Sequence, residues 1–484
     1  MKNSLIKSFI TYGIGNILFT LVNLLFVPVF LEKIQIEDYG ILSVFFVSSN
    51  LIMTFFSISI TNGILRAYNE GFSTEKERAW TTTIIIFFIV FGFFYTGASV
   101  FFQKAFSKLI FNDVKYGHLF VLCGLVGFTR ILIGICSGVL RARNLAIKYV
   151  ILNLLNVISL AAINIYIIYF THYTLISIAW GYVINGAFSF LLGLVFIKKD
   201  LGFGFKLEGL WYFIKYGVPL GLASVASYFI NYGNRYYLIN YTTATDVSLM
   251  DVAQKISSLV GILLTNAFIT AFTPYYLNLY LKVSFEEYSK KINQIILTFS
   301  ILFCFLSLGL ILFQEIGLSL LSNHEYLVAA EFVPYLILSN YFNVLFMMLT
   351  MGTNISKKTN VEMYITISIL LISIVSNILL IKFIGIYGAV ITQVMINLLS
   401  LFFIHIYNRK NFPIIINFFK IIQVVVVTSV LVFLKKEIPE LLGMHNKVMS
   451  QAMLPLALLA VFSLIFYKEL ISIKSTLFSL LVKK

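Results

Sequence analysis

About fourteen apolar stretches, each long enough to cross a bilayer, follow one another along this 484-residue chain and constrain its fold more than any other feature. A transmembrane helix needs about 20 mainly apolar residues, and the ten-residue alternation typical of barrel strands is not visible. In lipid, helices satisfy their own backbone hydrogen bonds, so the sequence predicts an all-α polytopic membrane protein. The stretches centre near Leu21, Leu51, Phe91, Phe128, Leu160, Phe188, Ser227, Leu264, Phe305, Phe342, Ile372, Met395, Val427 and Leu459.

The charge pattern predicts the orientation of these spans. Only 11% of the residues are charged, against roughly 25% in soluble domains. Most of the 35 lysines and arginines fall in alternate gaps, which the positive-inside rule places in the cytoplasm. We therefore expect both termini in the cytoplasm. Basic loops that face anionic lipid account for the net charge of +15, and no polybasic or aromatic-interleaved loop indicates nucleic-acid binding.

Short matches between the two halves of the chain predict an internal repeat, a common way to build a transport pathway. They predict a six-helix lobe over residues 1–200, a second over 201–411, and two additional spans over 412–484. The matching pairs are Tyr12-Gly13 with Tyr216-Gly217, Asn144 and Lys148 with Asn354 and Lys358, and Gly181 with Gly388.

Residues that carry catalysis or bind metals are scattered. Cys123, Cys136 and Cys304 stand singly in apolar surroundings, as packing residues do, and the five histidines form no metal-binding spacing. We expect no cofactor and no enzymatic activity. The enzyme alternative is a membrane polysaccharide polymerase or glycosyltransferase that uses Glu37 and Asp38, but the outer loops have the length of ordinary connectors.

Several motifs resemble those of bacterial polysaccharide flippases. The run Asp38-Tyr39-Gly40-Ile41-Leu42, followed by Asn62-Gly63-Ile64-Leu65-Arg66-Ala67-Tyr68, resembles their N-terminal signature. The run Asn234-Arg235-Tyr236-Tyr237, continuing to Asp251 and Lys255, and the later Gly385-Ile386-Tyr387-Gly388-Ala389, are also similar. Many relatives have an acid where this chain has Asn234.

The resemblance implies the multidrug/oligosaccharidyl-lipid/polysaccharide exporter fold, in which two six-helix lobes enclose a central cavity. It also implies that the chain moves a polyprenyl-pyrophosphate-linked oligosaccharide across the bacterial cytoplasmic membrane by alternating access. The implied partners are this lipid-linked substrate, membrane lipids and polysaccharide assembly proteins. The alternatives are a lipid II-type or other lipid-linked glycan flippase and a multidrug antiporter. An antiporter is expected to use carboxylates within the membrane for ion coupling.

Three ionisable side chains fall within predicted spans, and all three are cationic: Arg130, Arg235 and Lys255. Such residues cost at least about 2.5–3.5 kcal/mol in hydrocarbon and mark functional sites. We expect no carboxylate partner at their depth, which suits a cavity that receives a pyrophosphate. Arg235 and Lys255 lie near enough to the outer interface to snorkel instead, whereas Arg130 is too central.

Other polar residues have two interpretations each. Arg66 is either a cytoplasmic anchor or a residue that captures phosphate from the inner leaflet. Asn16, Asn23, Asn50 and Asn62 hydrogen-bond either sugar hydroxyls or neighbouring helices.

Overall fold

The computed structural model describes residue 22 and residues 28–57, 60–70, 72–321, 324–358, 360–412, 417–441, 453–467 and 469. Within these ranges the chain is helical and contains no β-strand, which confirms the predicted all-α class. The helices are α1 Ile36–Ser57, α2 Ile60–Asn69, α3 Thr74–Phe111, α4 Gly117–Ala142, α5 Ala146–Phe170, α6 Leu175–Ile197, α7 Leu207–Tyr232, α8 Asn234–Tyr241, α9 Ala244–Val260, α10 Asn266–Tyr280, α11 Phe285–Leu321, α12 Val333–Leu349, α13 Met351–Ile355, α14 Asn360–Ile384, α15 Ile386–Asn411, α16 Phe418–Leu441 and α17 Leu454–Ile465.

Ten helical segments of the described residues are long and apolar enough to cross a membrane. Their outer faces carry large apolar side chains; Phe101 on α3 is 87% exposed. Such surfaces are rare on soluble proteins because they are unfavourable in water. The chain is therefore a multi-pass membrane protein. The centre of the predicted span near Leu21 lies outside the described residues. The helix α17 is apolar but shorter than a full span.

Two of the predicted spans contain breaks in regular helix geometry. Gly233 separates α7 from α8, and a Cβ atom there would lie 2.5 Å from the carbonyl oxygen of Phe229. A π-helical turn over Gly261–Thr265 separates α9 from α10. π turns insert one extra residue into a helix and are frequent near functional sites.

Contacts between Cα atoms divide the chain into two compact units: Met1–Ser248 with Asn377–Ile386, and Leu249–Ser376 with Tyr387–Lys484. The expected lobes over 1–200 and 201–411, with two spans over 412–484, stay a prediction. In the first unit, α2, α3, α4 and α6 share a core around Trp80, Phe128 and Val139. In the second, α11, α16 and α17 share a core around Leu308, Val424 and Phe462.

Close packing of α4 against α6 positions the centre of α4. A Cβ atom on Gly186 would overlap the side chain of Thr129, and one on Gly193 would lie 2.9 Å from the Cys136 sulfur. Small residues let helix backbones approach closely, which is the main source of packing energy between helices in lipid. The glycines on α6 thus hold the middle of α4 inside the first unit.

Candidate functional site

Arg130 occupies the middle of α4, thirteen residues after the helix starts at Gly117. At 1.5 Å per residue this places its Cα about 20 Å from that end of the helix. The hydrocarbon core of a bilayer is about 30 Å thick, so neither interface is within easy reach of the guanidinium.

Three neutral polar side chains from three other helices surround this guanidinium. Arg130 Nη1 donates a hydrogen bond to Asn50 Oδ1 on α1, and its Cζ lies 6.0 Å from the ring centre of Tyr182 on α6. The hydroxyl of Tyr228 on α7 interacts with Arg130 and with the Asn50 side chain. We call these four residues the Arg130 cluster. Its position between α1, α4, α6 and α7 means that the cation faces protein side chains.

No carboxylate of the described chain lies within ion-pair distance of Arg130. All four members of the cluster are partly exposed. A guanidinium has five N–H donors in a planar fork that matches the oxygens of a phosphate. Only one of the five donates to a described residue. The cluster therefore combines a net positive charge, carried by a partly exposed residue, with neutral hydrogen-bonding groups and aromatic rings.

Arg235 lies at the start of α8 and is only 1% exposed. Its Nη1 donates to Asn234 Oδ1 at 3.0 Å, and its Cζ lies 5.3 Å from the ring centre of Tyr232. A snorkelling side chain would be exposed at its tip, because it extends to reach water or headgroups. Burial of the whole side chain favours a role inside the protein for Arg235.

Lys255 forms an ion pair with Asp251, one helical turn earlier on α9, with 2.9 Å between Nζ and Oδ2. The expectation that the cations within the spans have no carboxylate at their depth is therefore wrong for Lys255. Residues four apart on a helix lie on the same face, so the Asp251 carboxylate reaches the Lys255 ammonium along the surface of α9. The pair is neutral overall, which weakens the attraction of Lys255 for an anion.

Arg66 and Asn62 lie on α2 and are exposed. Arg66 is paired with Glu70, which also accepts a hydrogen bond of 2.7 Å from the Tyr212 hydroxyl. These two bonds, from Tyr212 and then from Arg66, hold the pKa of the Glu70 carboxyl below its ordinary value. This pairing suits an anchor at the end of the helix. Asn16 and Asn23 lie outside the described residues, and the substrate-binding role predicted for all seven residues stays a prediction.

A second charged group, which the sequence analysis did not anticipate, joins three helix ends. Arg143 follows α4 and bonds Glu77 of α3 at 2.9 Å and Asp200, in the turn after α6, at 2.8 Å. Its Cζ also lies 4.5 Å from the ring centre of Tyr68 on α2. Because two carboxylates compensate one guanidinium, this group is a structural clamp and attracts no anion.

The three cysteines, Cys123, Cys136 and Cys304, are free and buried, in agreement with their predicted packing role. Among the residues that the structure describes, no group of three or more His, Cys, Asp or Glu side chains is arranged to hold a metal ion.

The fold is one that polytopic membrane transporters share. The structure is similar to the lipid II flippase MurJ in its inward closed conformation, with a TM-score of 0.77 and 14% identity over 96% of this chain and 100% of that chain. It is also similar to an inward-facing multidrug resistance MATE family transporter of the MOP superfamily, with a TM-score of 0.62 and 12% identity over 82% of this chain and 97% of that one. A MATE transporter in the straight conformation gives a TM-score of 0.55 and 14% identity, over 84% and 95% of the two chains.

No protein-family profile and no curated protein matches the sequence. At 12–14% identity, the similar structures establish the fold of the chain and say nothing of its substrate. The expected exporter-like fold is confirmed. The resemblance to polysaccharide flippases in particular, and the substrate that it implies, stay predictions.

Proposed function

We propose that the protein is a flippase that moves a polyprenyl-pyrophosphate-linked oligosaccharide from the inner to the outer leaflet of the bacterial cytoplasmic membrane by alternating access. The observation that carries the proposal is the Arg130 cluster: a central, partly exposed arginine with neutral polar neighbours and no carboxylate partner among the described residues.

The charge of the cluster favours an anionic substrate. A cation in low dielectric is stable only if an anion compensates it or hydrogen bonds do so in part. Asn50 supplies a hydrogen bond without a charge, so the site retains a net charge of +1. A pyrophosphate both compensates this charge and accepts two parallel N–H bonds from the free side of the fork.

The neutral members of the cluster favour a glycan beside the phosphates. Asn50 offers the N–H groups of its amide to sugar hydroxyls, and Tyr228, whose O–H donates to the Val47 carbonyl oxygen, offers its hydroxyl oxygen as an acceptor. The ring of Tyr182 offers an apolar face. A multidrug antiporter would instead attract cationic cargo. The first unit offers no unpaired acid near Arg130 among its described residues for that purpose.

The second candidate function is a lipid II-type flippase. Its cargo has the same pyrophosphate headgroup, so the charge of the Arg130 cluster suits it equally well. The two candidates share the anion site and differ only in the glycan. Neither requires an enzymatic step, and polysaccharide assembly proteins are the partners we propose for the first.

The test compares Arg130→Ala and Arg130→Lys in proteoliposomes that contain a fluorescent undecaprenyl-pyrophosphate-linked oligosaccharide. A hydrogen bond to a charged group contributes about 1.5–3 kcal/mol, so we expect Arg130→Ala to slow flipping by roughly 10- to 150-fold. Arg130→Lys keeps the charge and loses the fork, so we expect an intermediate rate. Arg78→Ala, which removes an exposed arginine, is the matched control.

Wild-type flipping by a folded Arg130→Ala protein would refute the proposed site. Faster flipping of lipid II than of other linked oligosaccharides would select the second candidate. Export of a cationic dye that is independent of Arg130, without any flipping, would assign the protein to the drug transporters.

A further inference from the structure

The second unit contains a cavity of about 460 Å³ between α11, α12 and α16 that plays no part in the proposed transport site. Its walls include Phe303 and Ile311 of α11, Leu338 of α12, and Val425, Val432 and Phe433 of α16. At about 30 Å³ per water-sized group, the cavity holds roughly fifteen such groups. We call it the α11–α12–α16 cavity.

The length of this cavity matches one leaflet of a membrane. Its lining on α16 extends from Val425 to Glu437, twelve residues or about 18 Å along the helix. Half of a hydrocarbon core is about 15 Å. A mainly apolar slot of this length and volume fits a single extended acyl chain.

Charged residues surround only one end of the cavity. Lys436, Glu437 and Glu331 form this mouth, and Glu331 also accepts a hydrogen bond from the Tyr387 hydroxyl. The neighbouring Lys435 is paired with Glu315 at 3.2 Å. The charge pattern of the sequence predicts that this end lies at the outer surface. One ammonium and two carboxylates at the mouth complement a headgroup that has one phosphate and one amine.

A hydroxyl in the wall indicates a ligand more polar than a hydrocarbon alone. Ser307 lines the cavity and is 3% exposed, yet its Oγ has no hydrogen-bond partner among the described residues. Buried hydroxyls are nearly always hydrogen-bonded, and each exception calls for an explanation. An ester carbonyl of a bound lipid would accept a bond from this hydroxyl.

We propose that the α11–α12–α16 cavity binds a zwitterionic glycerophospholipid of the outer leaflet with an ethanolamine headgroup. One acyl chain fills the apolar slot, the phosphate contacts Lys436, and the amine contacts Glu331 and Glu437. The excess of carboxylates at the mouth disfavours lipids with a net negative charge, including polyprenyl pyrophosphates. This site is separate from the Arg130 cluster and does not depend on the proposed transport function.

The test places the full-length protein in nanodiscs of phosphatidylethanolamine and phosphatidylglycerol at a ratio of about 3:1 and counts the retained lipids by native mass spectrometry. We expect the wild type to retain phosphatidylethanolamine. Lys436→Glu reverses an exposed charge at the mouth, and we expect it to lower retention at least about threefold. Lys420→Glu makes the same change at an exposed position near the other end of α16 and should have no effect.

Val425→Trp fills the deep end of the cavity and should displace the acyl chain. If this variant fails to fold, the comparison of Lys436→Glu with Lys420→Glu still decides the question. Equal retention in both lysine variants would overturn the proposal, as would equal retention of phosphatidylglycerol. Displacement of phosphatidylethanolamine by added undecaprenyl phosphate would also overturn it and assign the cavity to the polyprenyl chain.

Discussion

The substitution Asn50→Asp tests whether the charge of Arg130, which has no carboxylate partner in the described part of the chain, is the essential property of the site. Asn50 accepts a hydrogen bond from Arg130. Aspartate has nearly the same shape and also accepts that bond, but it adds a negative charge. The cluster then becomes neutral without any change in packing. We expect this variant to lose affinity for pyrophosphate while it keeps its fold.

The magnitude follows from the distance between the charges. Two unit charges about 4 Å apart attract each other by about 4 kcal/mol at the effective dielectric constant of a protein. A pyrophosphate that binds Arg130 has to compete with the new carboxylate for the guanidinium, so its affinity should fall by up to about 1,000-fold. Folding stability should change little, because burial of the new carboxylate costs several kcal/mol and offsets the gain from pairing.

The matched variant is Asn50→Ala, which removes the hydrogen bond and adds no charge. Loss of a bond to a charged group costs about 1.5–3 kcal/mol, so Asn50→Ala should unfold at a lower temperature than Asn50→Asp. Its affinity for pyrophosphate should nevertheless exceed that of Asn50→Asp. The assay is calorimetric titration of the purified protein with farnesyl pyrophosphate, together with a thermal unfolding curve for each variant. If Asn50→Asp binds the probe at least as tightly as Asn50→Ala, Arg130 supports the structure only and the reasoning fails.

Two further predictions concern stability. Gly186→Leu places a side chain against Thr129 and should lower the free energy of unfolding by about 1–3 kcal/mol. At Gly97 an added Cβ meets nothing within 4 Å, so Gly97→Ala should leave the free energy of unfolding unchanged or raise it slightly. Unfolding temperatures of the two variants would test this, and equal values would contradict the packing argument. Glu77→Ala removes one of the two carboxylates that bond Arg143 and should lower the free energy of unfolding by about 1–3 kcal/mol. Glu77→Gln retains a hydrogen-bond acceptor and should lower the unfolding temperature less than Glu77→Ala does. Equal unfolding temperatures for the two variants would contradict a stabilising role for the bond between Glu77 and Arg143.

The fold could largely be predicted from the sequence because lipid imposes a simple rule on composition. Long apolar runs must form helices when no water is present to satisfy the backbone. Breaks inside a helix follow a different rule, since they depend on the local backbone. The approach of Gly233 to the carbonyl of Phe229 and the π turn at Gly261–Thr265 do not change the average hydrophobicity of the segment. They could therefore not be predicted from the apolar pattern.

The candidate site was predictable in part. The depth of Arg130 follows from its place in an apolar run, and Asn50 was among four asparagines with two interpretations. Selecting Asn50 requires a contact across 80 positions of the sequence, which depends on how the helices pack. The Arg143 clamp joins residues 57 and 66 positions apart and was missed for the same reason. The pairing of Lys255 with Asp251 could have been predicted, because a spacing of four residues on one helix is visible in the sequence.

The π turn between α9 and α10 also determines which way the next helix faces. Each residue of an α-helix turns the chain by about 100°, so the extra residue in Gly261–Thr265 rotates everything after it by that angle relative to the Lys255–Asp251 pair. Deletion of one residue here would restore a continuous α-helix and direct the side chains of α10 elsewhere, although no functional group had been altered. In this stretch of the chain the number of residues matters as much as their identity.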